Sequence, residues 1–336
     1  MNVPFVTVIM PVYNAEATVE ASIDSLLAQT YGDWKLICIN DGSKDRSLEI
    51  LERYAASDPR IIVVSQENGG VAAARKTGYL LTESPYVINL DADDEFSENL
   101  LEACVQKAHE TDADILVPNC ICETSESRSF SWNDAYGYTT DTVMTGLEAF
   151  SRTFIPATMH GYLMWKTALI KAHACGEDQT LLRTFSEDEY YRRVLFLNSH
   201  KVCFCGGYYI YRSNSDSITK KFSAQQIGYL VTARQMVELN EEYAIPTDLQ
   251  HLIEENYMRT VISLQIKYDA FRSSLSAEEA TAVKSAIKYS YHDALRYRKH
   301  IHFADKPHAA LYRWSALSGY FVFRITCRLM AKKKYA

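Results

Sequence analysis

Short apolar runs and longer amphipathic stretches alternate from the start of the chain, and their periods separate strands from helices. Residues 5–10 form a β-branched run that meets Pro11, and residues 16–29 carry Val19, Ile23, Leu26 and Leu27 at helical spacing. The pattern repeats as a strand over 35–40, a helix over 47–54 and a strand over 61–65. Strands alternating with helices predict an α/β fold, with a parallel sheet and right-handed crossovers. Residues 86–90 are apolar without alternation, as in a strand covered on both faces. Further on, the pattern predicts a helix over 100–109, a strand over 115–120, a polar loop or hairpin over 123–138 and a helix over 145–154. A strand and helix are expected over 164–171, and two strands, 201–205 and 208–212, around Gly206-Gly207. Then only helical patterns remain, over 225–243, 249–271, 277–297 and 309–334, with Pro246 and Pro307 marking breaks. The expected organisation is a Rossmann-like, mostly parallel domain over 1–218 and a helical region over 219–336.

Charge alters the expected partners more than the expected fold. A net charge of -7 on 336 residues argues against a general nucleic-acid binder. The last stretch is different: over residues 296–334 Asp305 is the sole acid, set against bases from Arg296 to Lys334. On a helix of 100° per residue, Leu311, Val322, Ile325 and Leu329 gather on one side and Arg313, Arg324 and Arg328 on the other. With Trp314, Tyr320, Phe321 and Phe323 on the flanks, residues 309–334 fit an amphipathic helix on an anionic membrane surface, or a helix docked on the protein with a basic outer face. No stretch is apolar enough to span a bilayer, and residues 6–12 lack the basic flank of a signal peptide. The eight cysteines are therefore expected as thiols in a reducing cytoplasm. Cys120-Ile121-Cys122 and Cys203-Phe204-Cys205 lack zinc-ribbon spacing and read as small apolar residues within strands.

Candidate chemistry collects where strands end. Tyr86-Val87-Ile88-Asn89-Leu90 runs into Asp91-Ala92-Asp93-Asp94-Glu95, and open α/β sheets bind ligands beyond the carboxyl ends of their strands. Two residues apart in extended chain, Asp91 and Asp93 point the same way and could share an ion. Oxygen ligands suit Mg²⁺ or Mn²⁺. The alternative is a solvated turn capping the next helix through Ser97 or Asp94. Asp41, before Gly42, could accept from a uracil N3–H or a ribose hydroxyl, or could serve with Ser43 as turn former and cap. Arg75 follows Asn68-Gly69-Gly70 on an Ala-rich helix and could reach a diphosphate or form a surface ion pair. His160 reads as structural, with contact to acceptor or diphosphate as the alternative. Glu187-Asp188-Glu189 fits acids at a helix N-terminus, and Glu177-Asp178 is a rival pair.

Together these stretches carry a resemblance. Pro11-Val12-Tyr13-Asn14, Asn40-Asp41-Gly42-Ser43-Lys44-Asp45, Asn68-Gly69-Gly70 with Ala74-Arg75 and Gly78, and Leu90-Asp91-Ala92-Asp93-Asp94 resemble the ordered motifs of family 2 glycosyltransferases. The resemblance implies a GT-A fold and inverting transfer from a nucleotide sugar, UDP-hexose being favoured, in bacterial surface-polysaccharide synthesis. It assigns Pro11, Tyr13, Asn14, Asp41 and Gly42 to the donor's base and ribose, and Arg75 to its pyrophosphate. Asp91 and Asp93 become the DxD motif that meets donor and Mn²⁺ or Mg²⁺, with Asp93 the direct ligand. Asp188, after Phe185-Ser186-Glu187, becomes the catalytic base, and Arg212 a further candidate for neutralising diphosphate. Lys76 departs from the Asn that often follows this Arg. The implied acceptor is a glycan or lipid-linked glycan, and the implied place is the cytoplasm or the inner face of the cell membrane. A nucleotidyltransferase would need a basic Gly-rich loop, and an oxidoreductase Gly-x-Gly-x-x-Gly where this chain has Pro11-Val12-Tyr13-Asn14. A non-catalytic nucleotide-sugar-binding or membrane-associated scaffold is the alternative, against which the acids at 91, 93 and 188 argue.

Overall fold

The computed structural model describes residues 3–123, 129–154, 157–176, 186–212, 221–303 and 309–335. The chain divides into two compact units, Met1–Arg183 with Tyr191–Ser215, and Thr184–Tyr190 with Asp216–Ala336.

One sheet organises the first unit. Strands β1 (Val6–Val12), β2 (Trp34–Asn40), β3 (Ile61–Ser65) and β4 (Tyr86–Asn89) lie in the order β3-β2-β1-β4, all parallel. Helices α1 (Val19–Leu27), α2 (Ser47–Ser57) and α3 (Val71–Leu81) connect them. Every residue of β1 is buried, which accounts for its lack of alternation. Close packing of α3 on this strand depends on Gly78, where a Cβ would come 2.5 Å from Ile9 Cγ2.

The other half of the sheet is mixed. Strands β5 (Glu95–Phe96), β6 (Ile115–Glu123), β7 (Ser129–Ser131), β8 (Val143–Met144), β9 (Met164–Lys166) and β10 (Val202–Tyr211) extend it as β4-β9-β6-β10-β5, with β7 on β6 and β8 on β10. In this half β6 and β10 run parallel, and the other described pairings are antiparallel. Helices α4 (Leu100–Thr111), α5 (Trp132–Ala135), α6 (Gly146–Ser151), α7 (Thr167–Ala174) and α8 (Glu187–Leu197) complete the series up to the last strand. Where two strands were expected around Gly206-Gly207 there is one, with a register shift between Phe204 and Tyr208. Gly207 has φ +79, and a Cβ there would lie 2.5 Å from Leu100 Cα. The glycine marks close approach of α4 at a bulge, not a turn.

The second unit is helical: α9 (Gly228–Glu242), α10 (Thr247–Phe271), α11 (Ala277–Ala294), a 3-10 segment (Leu295–His300), α12 (Ala309–Leu317) and α13 (Tyr320–Tyr335). Tyr257, Met258 and Val261 of α10, Ile287 and Tyr291 of α11, and Phe323 and Cys327 of α13 are buried. The expected single helix over 309–334 is broken at Gly319, whose φ of +99 is open to glycine and strained for other residues. The predicted row running through both halves therefore does not form. Instead α13 buries Phe323, Cys327 and Ala331 and exposes Phe321, Ile325 and Leu329 beside Arg328. Bases and apolar groups thus share its outer face. Among the described residues no helix is long and apolar enough to cross a membrane.

Candidate active site

The ends of β1, β2 and β4 lie together, in register through Val12 with Asn40 and Ile9 with Asn89. A proline within a central strand needs explanation. The Leu90 N–H donates to the Ile9 carbonyl at 2.9 Å, so Ile9 turns its main chain toward β4. Pro11, two residues on, faces the same side after β4 has ended, and its missing N–H breaks no ladder. Beyond it Tyr13 is 52% exposed. Asn14 has φ +50, a left-handed conformation that asparagine tolerates. Its side-chain carbonyl accepts from the Lys44 N–H at 2.7 Å, and its own N–H donates to Ser43 Oγ at 3.1 Å. The first two loops are tied together by these bonds.

Asp41 ties in a third. It is buried, with Oδ1 accepting from Gln66 Nε2 (2.8 Å) and the Gly69 N–H (2.9 Å), and Oδ2 from the Gly70 N–H (2.8 Å). Asn68 Nδ2 donates to the Asp41 carbonyl at 2.9 Å. Gly42, at φ +72, permits this approach, since a Cβ would stand 3.0 Å from Asn68 N. The helix-cap alternative for Asp41 and Ser43 fails, because Arg46 occupies the N-cap of α2 and makes no side-chain cap bond.

The acidic segment closes the same end of the sheet as a turn, with the Asp94 N–H donating to the Asp91 carbonyl at 3.0 Å. This corrects the extended geometry expected for Asp91 and Asp93. Arg75 Nη2 lies 2.7 Å from Asp91 Oδ1, so the base meant for a diphosphate is paired with an acid of the turn. Asp94 is 1% exposed and accepts from the Tyr209 hydroxyl at 2.8 Å and the Arg212 N–H at 3.0 Å. The same hydroxyl accepts from the Asp91 N–H at 3.2 Å. Burial, and then the charge of Asp91, push the Asp94 carboxyl up to about 8, with Asp93 adding to the effect and the two hydrogen bonds opposing it. Neither Asp94 nor Ser97 caps α4, whose N-cap is Asn99. Asp91 and Asp93 supply hard oxygen donors, while Asp94 is buried behind them with its oxygens bonded to Tyr209 and Arg212. A pair of carboxylates is the number that Mg²⁺ usually takes, its other positions going to water and phosphate.

Tyr209 is the supporting residue that pattern reading missed, for it stands 115 positions from Asp94. Tyr162 stacks on it, ring centroids 4.0 Å apart. Arg212 is held by Glu95 at 2.6 Å and Glu123 at 3.4 Å, which occupies the guanidinium offered earlier to diphosphate. His160 is structural: Nε2 lies 3.0 Å from the Pro118 carbonyl, and the Tyr162 N–H donates to Nδ1 at 3.2 Å. Burial lowers its pKa to about 3. Asp188 is an exposed residue in the first turn of α8, within the segment Thr184–Tyr190 that groups with the second unit. The rival pair Glu177-Asp178 lies outside the described residues.

The family profile described as glycosyl transferase family 2 matches residues 7–165, which span the parallel strands and the acidic turn. An uncharacterized glycosyltransferase, EpsJ of Bacillus subtilis, is 32% identical over 222 residues, 65% of this chain and 64% of that protein. Glycosyltransferase GlyA of Streptococcus pneumoniae is 29% identical over 231 residues, 68% of this chain but 33% of that protein. The chain thus spans between a third and two thirds of these relatives. Residues 1–349 of S. aureus TarS share the fold, with a TM-score of 0.69 at 16% identity, covering 98% of this chain and 90% of that one. TarS has also been solved with UDP-GlcNAc and with UDP.

Proposed function

We propose, from the match of residues 7–165 to the glycosyl transferase family 2 profile, that the chain is a member of that family and moves a hexose from a UDP-sugar to a hydroxyl of a glycan or lipid-linked glycan, with inversion, in surface-polysaccharide synthesis. One observation carries the reading: the acidic turn Asp91–Asp94 closes the end of the sheet where Pro11, Tyr13, Asn14, Asp41 and Gly42 also lie. In the proposal the residues from Pro11 to Asn14 and Asp41-Gly42 hold the base and ribose. Arg75 exchanges part of its pairing with Asp91 for a phosphate oxygen. Asp91 and Asp93 hold Mn²⁺ or Mg²⁺, which when bound stabilises charge on a departing diphosphate. Asp188 takes the proton from the acceptor hydroxyl while that oxygen bonds to the anomeric carbon and the carbon–diphosphate bond breaks. Attack from the opposite face inverts the centre, so an α-linked donor gives a β-linked product.

We assign residues 1–218 to the catalytic domain and 219–336 to a helical region that brings it to the inner face of the membrane. Phe321, Ile325 and Leu329, exposed beside Arg328 and followed by Lys332, Lys333 and Lys334, support that placement. The first test is calorimetric titration with UDP, GDP and dTDP, each with Mn²⁺ and with EDTA, on wild type and Asp93→Ala. Metal-dependent UDP binding that disappears in the variant is expected, and absence of all nucleotide binding would sink the reading. Asp188→Asn should keep UDP binding and lose about 10² to 10⁴ in turnover.

A further inference from the structure

Away from the acidic turn, the helical unit gathers another set of ligand atoms. His251 and Glu254, three apart on α10, share a helix face, and His300 ends the 3-10 segment that follows α11. His300 Nδ1 is bonded to Glu254 Oε2. The rings of His251 and His300 stack with centroids 3.7 Å apart and planes 20° apart. One nitrogen from each ring and a carboxylate oxygen lie within 4.8 Å of one another. We propose that His251, Glu254 and His300 form a zinc site, with water as a fourth ligand, that clamps the 3-10 segment to α10.

The chemistry selects the ion. Two imidazoles and one carboxylate make a borderline set that favours Zn²⁺ over Mg²⁺, whereas the acidic turn is all oxygen. Preorganisation is built in by the neighbouring carboxylate. Glu255 is ion-paired with Arg259 at 2.5 Å and accepts from the His302 N–H (2.5 Å) and the Phe303 N–H (2.7 Å). Ile301 and Phe303 are buried, so the chain just beyond His300 is anchored on both sides of that bond pair. His300 is therefore presented to Glu254 by fixed backbone. With the ligand atoms within 4.8 Å of one another, rotation of the two stacked rings that opens the direct His300–Glu254 bond would bring all three onto one ion. Glu254 also lines a cleft of about 560 Å³, with Gln250, Tyr257 and Tyr297.

This inference is independent of sugar transfer and is tested on the full chain. Zn²⁺ is titrated against a competing chromophoric chelator into wild type, His251→Phe, His300→Ala and Asp93→Ala, each checked for fold by circular dichroism. The Phe variant keeps a ring to stack on His300 and removes the ligand nitrogens. We expect one tight site in wild type and in Asp93→Ala, weakened at least about tenfold in both histidine variants, with Zn²⁺ raising the melting temperature only where the site is intact. Co²⁺ in wild type should give a visible spectrum of nitrogen and oxygen ligation. No tight Zn²⁺ site in wild type, equal binding in His251→Phe, or a thiolate-to-metal band with Co²⁺ would each overturn the proposal.

Discussion

In the proposed site the two halves of the sheet contribute different groups. The parallel half, β3-β2-β1-β4, contributes loops whose polar groups stand at strand ends and are linked across loops, as Asn14 is to Ser43 and Lys44, and Asp41 to Gly69 and Gly70. The mixed half contributes struts: Tyr209 and Arg212 reach from the end of β10 to hold Asp94 from behind. Groups of the first kind are expected to govern what binds, and groups of the second kind whether the turn keeps its shape. Exposed groups that follow the parallel strands should therefore change affinity more than stability when replaced, and the struts of the mixed half should do the reverse.

The largest effect is expected at Asp93. Losing a metal ligand should cost more than the 10- to 100-fold typical of a lost outer partner, so Asp93→Asn should weaken metal-dependent UDP binding by about 100-fold or more. If Asp93 serves binding more than the framework, the metal-free variant should unfold at a urea concentration close to that of wild type. A large loss of stability instead would make Asp93 part of the framework and blur the division.

Gly207→Ala probes the opposite half. A Cβ at 2.5 Å from Leu100 Cα, on a residue held at φ +79, forces α4 away from β10 or strains the backbone. Overpacking of this kind costs about 1 to 3 kcal/mol, and the left-handed backbone roughly another 1 kcal/mol. Urea midpoints should read that loss, while UDP affinity measured well below the transition stays near the wild-type value. Tyr209→Phe sharpens the same comparison with a smaller change. It removes one hydroxyl that donates to Asp94 and accepts from the Asp91 N–H, leaving buried polar groups unmatched at a cost of about 1 to 3 kcal/mol. Since the Arg212 N–H still holds Asp94, donor affinity should fall only modestly.

The halves also differ in how much of them can be read from sequence. In the parallel half a strand and the loop it feeds are contiguous, so Asp41-Gly42 and Asp91-Ala92-Asp93 advertise themselves as polar groups following apolar runs. The strand over 61–65 was placed with the bounds Ile61–Ser65 that it adopts. In the mixed half the meaningful pairs are far apart in sequence, as Tyr209 with Asp94, and no local period reports them. The pattern predicts two strands around Gly206-Gly207 because sequence shows glycines interrupting an apolar run without showing whether backbone direction or a neighbouring helix requires them. The break at Gly319 was missed for a related reason: an apolar period can continue across a residue that reverses the backbone twist. Nor does any local pattern report the pairing of Arg75 with Asp91, which is a tertiary fact.

The smallest effect concerns His160, at the junction of the antiparallel strands, and it has a definite sign. Its ring is committed as the neutral tautomer, Nε2 directed at the Pro118 carbonyl and Nδ1 accepting from the Tyr162 N–H, so a proton on Nδ1 would displace that donor. In the unfolded chain the imidazole takes up its proton near 6.5, whereas in the fold burial delays uptake to about 3. Between those values the unfolded state binds more protons, so acid lowers stability, by at most about 1.4 kcal/mol per pH unit, and above the upper value the contribution is flat. Urea midpoints followed from about pH 7.5 down to about pH 5 should fall more steeply for wild type than for His160→Gln, which has no ring to protonate. Parallel curves would mean that the histidine is solvated in the folded state, and the mixed half would then lose its character as a dry framework behind the site.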